Sequence, residues 1–408
     1  MATETTYVIV GASLAGAKAA ETLREQGFDG RVMLIGAESE RPYERPPLSK
    51  DYLLGKADRS DAFVHDEGWY TDHDVKLRLG VRATRVDRAS HELELAAGER
   101  VRYDKLLLAT GASPRRLPVP GGDLDGVFYL RTIADSERLR EAFHAGGRVV
   151  VVGAGWIGLE TAAAARSYGC EVAVIEPERT PLYRSIGAEL GEMFAGLHRD
   201  HDVTLRLGES VTQIRGEGGR AHEVVTSVGE SLPAHTVVVG VGAGPNTTLA
   251  EEAGLDVENG VLVDQTLRSS DPDIYAAGDV ARAYNPLLGQ RIRVEHWANA
   301  LDGGPAAART MLGGDVVYDK VPYFFSDQYD LGMEYAGHAE PGGYDEVVYR
   351  GDRRAGEFVA FWLSDGRVVA GMNVNVWDVT DQIQALIRAG RPVDKDRLTD
   401  TSVPLDSL

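Results

Sequence analysis

With 408 residues, 43% of them hydrophobic and 26% charged, the chain has the composition of a globular protein of two or three domains. Its net charge of −20 argues against nucleic acid and against an anionic membrane surface as partners, since both need surplus Lys and Arg. The lone Cys170 excludes an intrachain disulfide, a Cys-x-x-Cys pair and a cysteine-ligated cluster. No apolar run of about 18 residues marks a membrane span. Residues 1–6 lack the charged and apolar regions of a signal peptide, so a cytoplasmic protein is expected.

In chain order, the first elements are a strand over 7–10, a helix over 14–26 ending near Gly27, and a strand over 31–35. Between strand and helix lies Gly11-Ala12-Ser13-Leu14-Ala15-Gly16, an imperfect dinucleotide-binding fingerprint in which Ser13 replaces the middle glycine. Serine is small enough to keep close approach feasible, and Glu38 can serve as the ribose carboxylate. The segment Glu44-Arg45-Pro46-Pro47-Leu48-Ser49-Lys50 reads as a stiff loop entering a helix, with Lys50 on its first turn. A rigidly placed Lys50 would stabilise negative charge on a reduced flavin; the alternative is a solvated surface lysine. Residues 106–111 form a buried strand and turn ahead of the Pro-rich stretch 114–120.

The same grammar returns at 148–176. A strand over 149–152 leads into Gly153-Ala154-Gly155-Trp156-Ile157-Gly158, then a helix over 156–168, Gly169, and a strand over 172–175. All three glycines are present, for the tight turn, the approach of a pyrophosphate and close helix–sheet packing. The helix N-terminus offers its dipole and free N–H groups to the pyrophosphate. Glu176 ends the next strand, where it can bind a ribose 2′-hydroxyl and repel a 2′-phosphate, favouring NADH over NADPH. Glu160 reads either as an acid suited to a helix N-terminus or as a carboxylate beside the nicotinamide. Cys170 reads as a buried small apolar residue.

A strand and turn over 237–244 follow, and a strand over 274–279 then ends on Gly278-Asp279. Asp279, at a strand-to-helix turn, would hold the ribityl or pyrophosphate part of a flavin, or cap the helix. Its place more than 100 residues after the second fingerprint implies that one nucleotide-binding domain is inserted in the other. From about residue 321 the texture changes to antiparallel strands over 346–350, 357–363 and 368–375 and a helix over 380–389, a third, α+β domain. The ten histidines form no His-x-x-x-His or His–Cys cluster, so no metal site is expected.

These motifs, with Ala109-Thr110-Gly111, Tyr129-Leu130-Arg131-Thr132, Val294-Glu295-His296-Trp297 and Phe325-Ser326-Asp327-Gln328-Tyr329, resemble in order and spacing the bacterial FAD-containing, NADH-dependent ferredoxin reductases of oxygenase and cytochrome P450 systems. The resemblance covers essentially the whole chain. It implies an α/β fold of two glutathione-reductase-like dinucleotide-binding domains, one inserted in the other, plus a C-terminal α+β domain that completes the flavin site. The expected boundaries are 1–113 and 244–320 for FAD, 114–243 for NADH, and 321–408. It also implies FAD contacts at Ala15, Glu38, Lys50, Ala83, Arg131, Asp279 and Trp297, NADH contacts at Glu160 and Glu176, and a position near the nicotinamide for Gly242. Lys50 and Glu160 would flank the reacting face. Three departures stand out. Ala37 replaces an acid of a well-known member, Ser13 is often glycine in relatives, and Phe325 replaces a tryptophan common near the flavin. Trp297 would then take the electron-exit role or pack on the flavin.

The implied partner is a [2Fe–2S] ferredoxin. Residues 280–310 hold Arg282, Arg291, Arg293 and Arg309 against Glu295 and Asp302, a local excess of two positive charges that suits an acidic ferredoxin or is an ordinary charged surface. A monomer or weak homodimer is expected. The alternatives are a rubredoxin or nitrite-reductase electron-input flavoprotein, or a slow-turnover FAD- and NADH-binding signalling protein.

Overall fold

The computed structural model describes residues 4–408; residues 1–3, the start of the stretch read as lacking a signal peptide, lie outside the described residues. The chain forms two compact units, one of residues 4–44, 59–113 and 244–323, the other of residues 45–58, 114–243 and 324–408.

In the first unit, the apolar run Thr6–Val10 is the centre of a five-stranded parallel sheet. The strand order is Ile274–Ala276, Lys105–Leu108, Thr6–Val10, Arg31–Ile35, Val75–Arg78. Val8, Ile9, Leu106, Leu107 and Ile274 are wholly buried, as central parallel strands covered on both faces require. Ile274–Ala276 pairs with Lys105–Leu108, so chain lying beyond the second fingerprint completes the first sheet. The helix Leu14–Glu25 turns Ala17, Ala19, Ala20 and Leu23 into the core. It crosses the helix Trp297–Met311 at close range: a Cβ on Gly304 would stand 2.2 Å from the carbonyl oxygen of Ala15.

The second unit repeats the plan. Arg148–Val152 is the centre of the parallel order Val203–Leu207, Glu171–Glu176, Arg148–Val152, Thr236–Val239, Val127–Phe128. Cys170 lies wholly buried in this unit's core beside Leu139 and Phe143. The unit's C-terminal part is an antiparallel sheet in the order Tyr323–Gln328, Leu331–Gly337, Arg367–Val374, Glu357–Ser364, Glu346–Asp352. The helix Thr380–Ala389 lays Ile383 against Gly371 of this sheet.

Two local readings are corrected. The 44–50 loop does not enter an α-helix. Pro46–Ser49 is a single 3-10 turn, held by Leu48 N–H to Arg45 O and Lys50 N–H to Pro47 O, and Lys50 follows its end rather than standing on a first helical turn. Asp279 does not precede a helix. Gly278–Val280 is one 3-10 turn, and the chain re-enters a strand at Ala281–Asn285, where Ala281, Ala283 and Asn285 are buried in period-two alternation. Asp279 is therefore not a helix cap. Two three-stranded antiparallel sheets, within 83–102 and 211–233, bury apolar side chains on one face and expose charged ones on the other, as in Glu92–Leu95 and Arg100–Arg102.

Candidate active site

The two fingerprint turns show what glycine does there. Gly11 has φ +122°, and a Cβ on it would lie 1.9 Å from the Ala109 carbonyl oxygen; Gly16 would strike the Gly11 oxygen at 2.0 Å. Gly158 would likewise strike the Gly153 oxygen at 2.0 Å, and Gly153 has φ +99°. These four glycines are packing requirements. Gly155 is different: a Cβ there would meet nothing within 4 Å, which leaves room for a ligand against the backbone.

The helices behind these turns are open at their positive ends. Neither Leu14–Glu25 nor Trp156–Ser167 has a side-chain cap or an acidic residue in its first turn. The helix Ile133–His144 is the internal contrast, closed by a capping box of Thr132 and Asp135. Two uncapped N-termini at the carboxyl ends of central parallel strands fit two dinucleotide pyrophosphates.

The two carboxylates expected to meet a ribose are held in two ways. Tyr43 donates a short hydrogen bond to Glu38, and Ser13 Oγ donates to the Tyr43 carbonyl at 3.4 Å. Glu176 accepts the backbone N–H groups of Ala154 at 2.7 Å and Glu178 at 2.9 Å. A carboxylate has about four acceptor sites, so room remains on Glu176 for a ribose diol.

Lys50 and Glu160, 110 positions apart, meet in the second unit. Lys50 Nζ lies 2.8 Å from Glu160 Oε1, and the two side chains are 13% and 2% exposed. That removes the reading of Lys50 as a solvated lysine. Ser49 Oγ donates to Glu160 Oε2 at 2.5 Å and Ser326 Oγ to Oε1 at 2.7 Å, so the carboxylate has three partners. The Phe325 ring lies 5.3 Å from the ammonium, within cation–π range. Neighbouring anchors hold the loop that carries Lys50. Ser136 Oγ donates to Leu48 O at 2.8 Å, Tyr52 OH to Glu137 at 2.6 Å, Tyr168 OH to Leu53 O at 2.8 Å, and Arg45 to the Arg131 carbonyl. A lysine fixed in this way can place a positive charge without paying reorganisation at the moment of reaction.

The remaining expected residues are distributed as follows. Ala15 is buried under Gly304, and Ala83 opens the strand Ala83–Asp87. Arg131 precedes the capped helix, and its N–H donates to Asp135. Ile157 is 45% exposed on the first turn of its helix, and Gly242, at φ +92°, accepts the Arg115 N–H. The Asp279 carbonyl accepts from Arg293. Trp297 starts its helix and hydrogen-bonds Glu44, whose carboxyl burial pushes above the usual range, with Trp297 and Lys18 opposing. Of the basic segment, Arg282 pairs with Glu258 and Arg293 with Glu295, while Arg291 donates to the Val263 carbonyl. Arg291 and Arg309 are the exposed members. Ser49, Tyr43, Glu44 and Arg45 were missed as site residues, although all sit in or beside the Pro-Pro loop. Ser326 stood in a motif without an assigned task.

A family model for pyridine nucleotide-disulphide oxidoreductases matches residues 5–304, and one for a reductase C-terminal domain matches residues 323–408. The chain belongs to the pyridine nucleotide-disulphide oxidoreductase family. Among relatives of this oxidoreductase is the ferredoxin–NAD(+) reductase component of an anthranilate 1,2-dioxygenase system from Burkholderia cepacia, 41% identical, with 98% of each chain covered. Putidaredoxin reductase from Pseudomonas putida is 36% identical over 98% of this chain and 96% of its own. The crystal structure of the covalent putidaredoxin reductase–putidaredoxin complex matches with TM-score 0.95 at 34% identity, covering 99% of this chain and 97% of that one. Among the described residues no cluster of His, Cys, Asp and Glu could hold a metal ion, and no helix is long and apolar enough to cross a membrane.

Proposed function

We propose that this oxidoreductase takes a hydride from NADH onto FAD and passes single electrons to a [2Fe–2S] ferredoxin that serves a cytochrome P450 or Rieske-type oxygenase. The observation that carries this reading is the buried Lys50–Glu160 pair in a chain whose one cysteine lies at the bottom of a core. Family members that reduce a disulfide need a redox cysteine near the flavin, and residues 45–50 offer a lysine and a serine instead. Within these 408 residues electrons have no cysteine pair to use. A bound flavin supplies the two-electron to one-electron conversion; the protein supplies binding, orientation and charge.

The uncapped helix at Leu14, with Glu38 and Asp279, is assigned to FAD within residues 1–113 and 244–320. The uncapped helix at Trp156, with Gly155 and Glu176, is assigned to NADH within residues 114–243, and residues 321–408 form the C-terminal domain. Glu176 selects NADH by accepting from a ribose diol and repelling a 2′-phosphate. Glu160, locked by Ser49, Lys50 and Ser326, orients the nicotinamide end, and Lys50 holds a positive charge where negative charge builds. Arg291 and Arg309 are the exposed cations offered to an acidic ferredoxin, and the cytoplasm is the proposed location. Steady-state cytochrome c reduction by NADH, with and without added ferredoxin, tests the reading. Fast turnover only with ferredoxin is expected; equal slow rates would overturn it in favour of a nucleotide-binding signalling protein.

A further inference from the structure

A run of buried polar side chains leads away from Glu160 within the second unit, and the Lys50–Glu160 site does not account for it. Ser326, Gln328 and His198 are 1%, 1% and 0% exposed, and interiors hold such groups only when each is satisfied. Here each is satisfied, and in one direction. The Glu160 carboxylate only accepts, so Ser326 gives it the single hydroxyl proton, over 2.7 Å. Ser326 Oγ is left to accept from Gln328 Nε2, 3.2 Å away. Gln328 therefore turns its amide oxygen to His198 Nε2, at 2.9 Å. An amide oxygen also only accepts, so Nε2 carries the imidazole proton and Nδ1 carries the lone pair. Tyr329 OH, 3.2 Å from Nδ1, donates to it.

Two further observations fit this order. Burial lowers the His198 pKa to about 4, with Gln328 opposing and His201 adding to the shift, so the ring is the neutral imidazole that the chain requires. Tyr329 is held at the outer end: its ring stacks on His201 at 3.6 Å, and its backbone has φ +59°, a conformation that non-glycine residues seldom adopt.

We infer that Tyr329, His198, Gln328 and Ser326 form a one-way hydrogen-bond chain that aims the Glu160 carboxylate at Lys50, which makes His198 and Gln328 positioning residues of the reaction. The inference rests on the proposed role of Lys50 and Glu160. The Gln328 amide has no mobile proton to hand on, so the chain holds Glu160 rather than conducting. Gln328 is its joint, since loss of that side chain removes two links at once and leaves Ser326 free to turn away from Glu160.

The test uses the FAD-loaded enzyme and stopped-flow reduction by NADH. Gln328→Leu and His198→Phe are expected to slow flavin reduction at saturating NADH by about tenfold, with NADH affinity changed less than about twofold. His198→Gln retains a donor that reaches Gln328 and should recover most of the rate. Gln328→Leu added to Glu160→Gln should slow the reaction no further than Glu160→Gln alone, because one acts through the other. Independently of turnover, 15N spectra should show His198 as the neutral Nε2–H tautomer between about pH 6 and 8. An Nδ1–H tautomer, an unchanged rate in Gln328→Leu, or additive effects would overturn the chain. If Gln328→Leu fails to fold, Ser326→Ala, which removes one hydroxyl, carries the same expectation with a several-fold effect. Should Glu160→Gln itself leave reduction unchanged, the site reading fails and the chain with it. If Glu160→Gln is slow and Gln328→Leu is not, only the chain fails.

Discussion

The two nucleotide-binding sheets share turn geometry and the order of four strands, the fifth being the last in the chain in one and the first in the other, but they finish their sites differently. In the first, the chain closes the site on itself: Ser13 and Glu38 both engage the 43rd residue, through the carbonyl and hydroxyl of Tyr43. In the second, Gly155 leaves open space, and Glu176 is held by backbone N–H groups alone. The contrast matches a resident cofactor on one side and a substrate that must enter and leave on the other. It also separates glycines that the fold needs from Gly155, which the packing does not need and which the proposed NADH site would use.

The largest expected effect tests that separation. Gly11→Ala forces a methyl to within 1.9 Å of the Ala109 oxygen at φ +122°, and should cost more than about 3 kcal/mol, read as loss of folded, flavin-bearing protein in thermal melts. Acid stability comes next. His198 is buried neutral, with its pKa lowered from 6.5 to about 4. Because the unfolded chain then binds the extra proton more readily, stability is full above about pH 6.5 and declines as pH falls toward 4. About 3 kcal/mol is lost across that window. His198→Gln should flatten this part of a denaturation-against-pH curve; an equal slope in both proteins would contradict the assignment.

Lys50→Met should slow flavin reduction by NADH roughly 100-fold in stopped flow, since it removes a fixed charge and leaves Glu160 buried without its cation. An unchanged rate would sink its role. Gly155→Ala should leave the melting temperature within about a degree, since nothing stands within 4 Å and its φ of −77° suits any residue. Its expected cost is about tenfold in KM for NADH, with flavin content intact. If Gly155→Ala instead empties the flavin site, the division between the two sheets is wrong. The smallest effect is expected from Arg291→Glu with Arg309→Glu, a few-fold rise in ferredoxin KM that shrinks with salt.

Much of this was legible in one dimension because it rests on local rules. The strands Thr6–Val10, Arg31–Ile35 and Arg148–Val152 and the helix Thr380–Ala389 fell within about a residue of the apolar patterns that announce them. Both fingerprints lie on strand–turn–helix units as their glycines imply. Less was legible in the 44–50 loop and at Asp279. Two adjacent prolines permit either a helix start or a 3-10 turn, and Gly278 is compatible with a turn into a helix or a strand. The serine partners of Glu160 were not legible at all. Ser49 and Ser326 are ordinary residues until a fold brings them to the same carboxylate.

Sequence alone determined the two-nucleotide plan, the positions of two candidate ribose acids and the lack of a cysteine pair, because these depend on residue identity and short spacing. Tertiary structure decided that Lys50 is buried against Glu160 over a separation of 110 positions, and that Ser326, Gln328 and His198 extend that pair inward. Such contacts depend on how strands from distant parts of the chain are ordered in space, which no periodicity encodes. The direction of the hydrogen bonds then follows from the one group among them that can only accept.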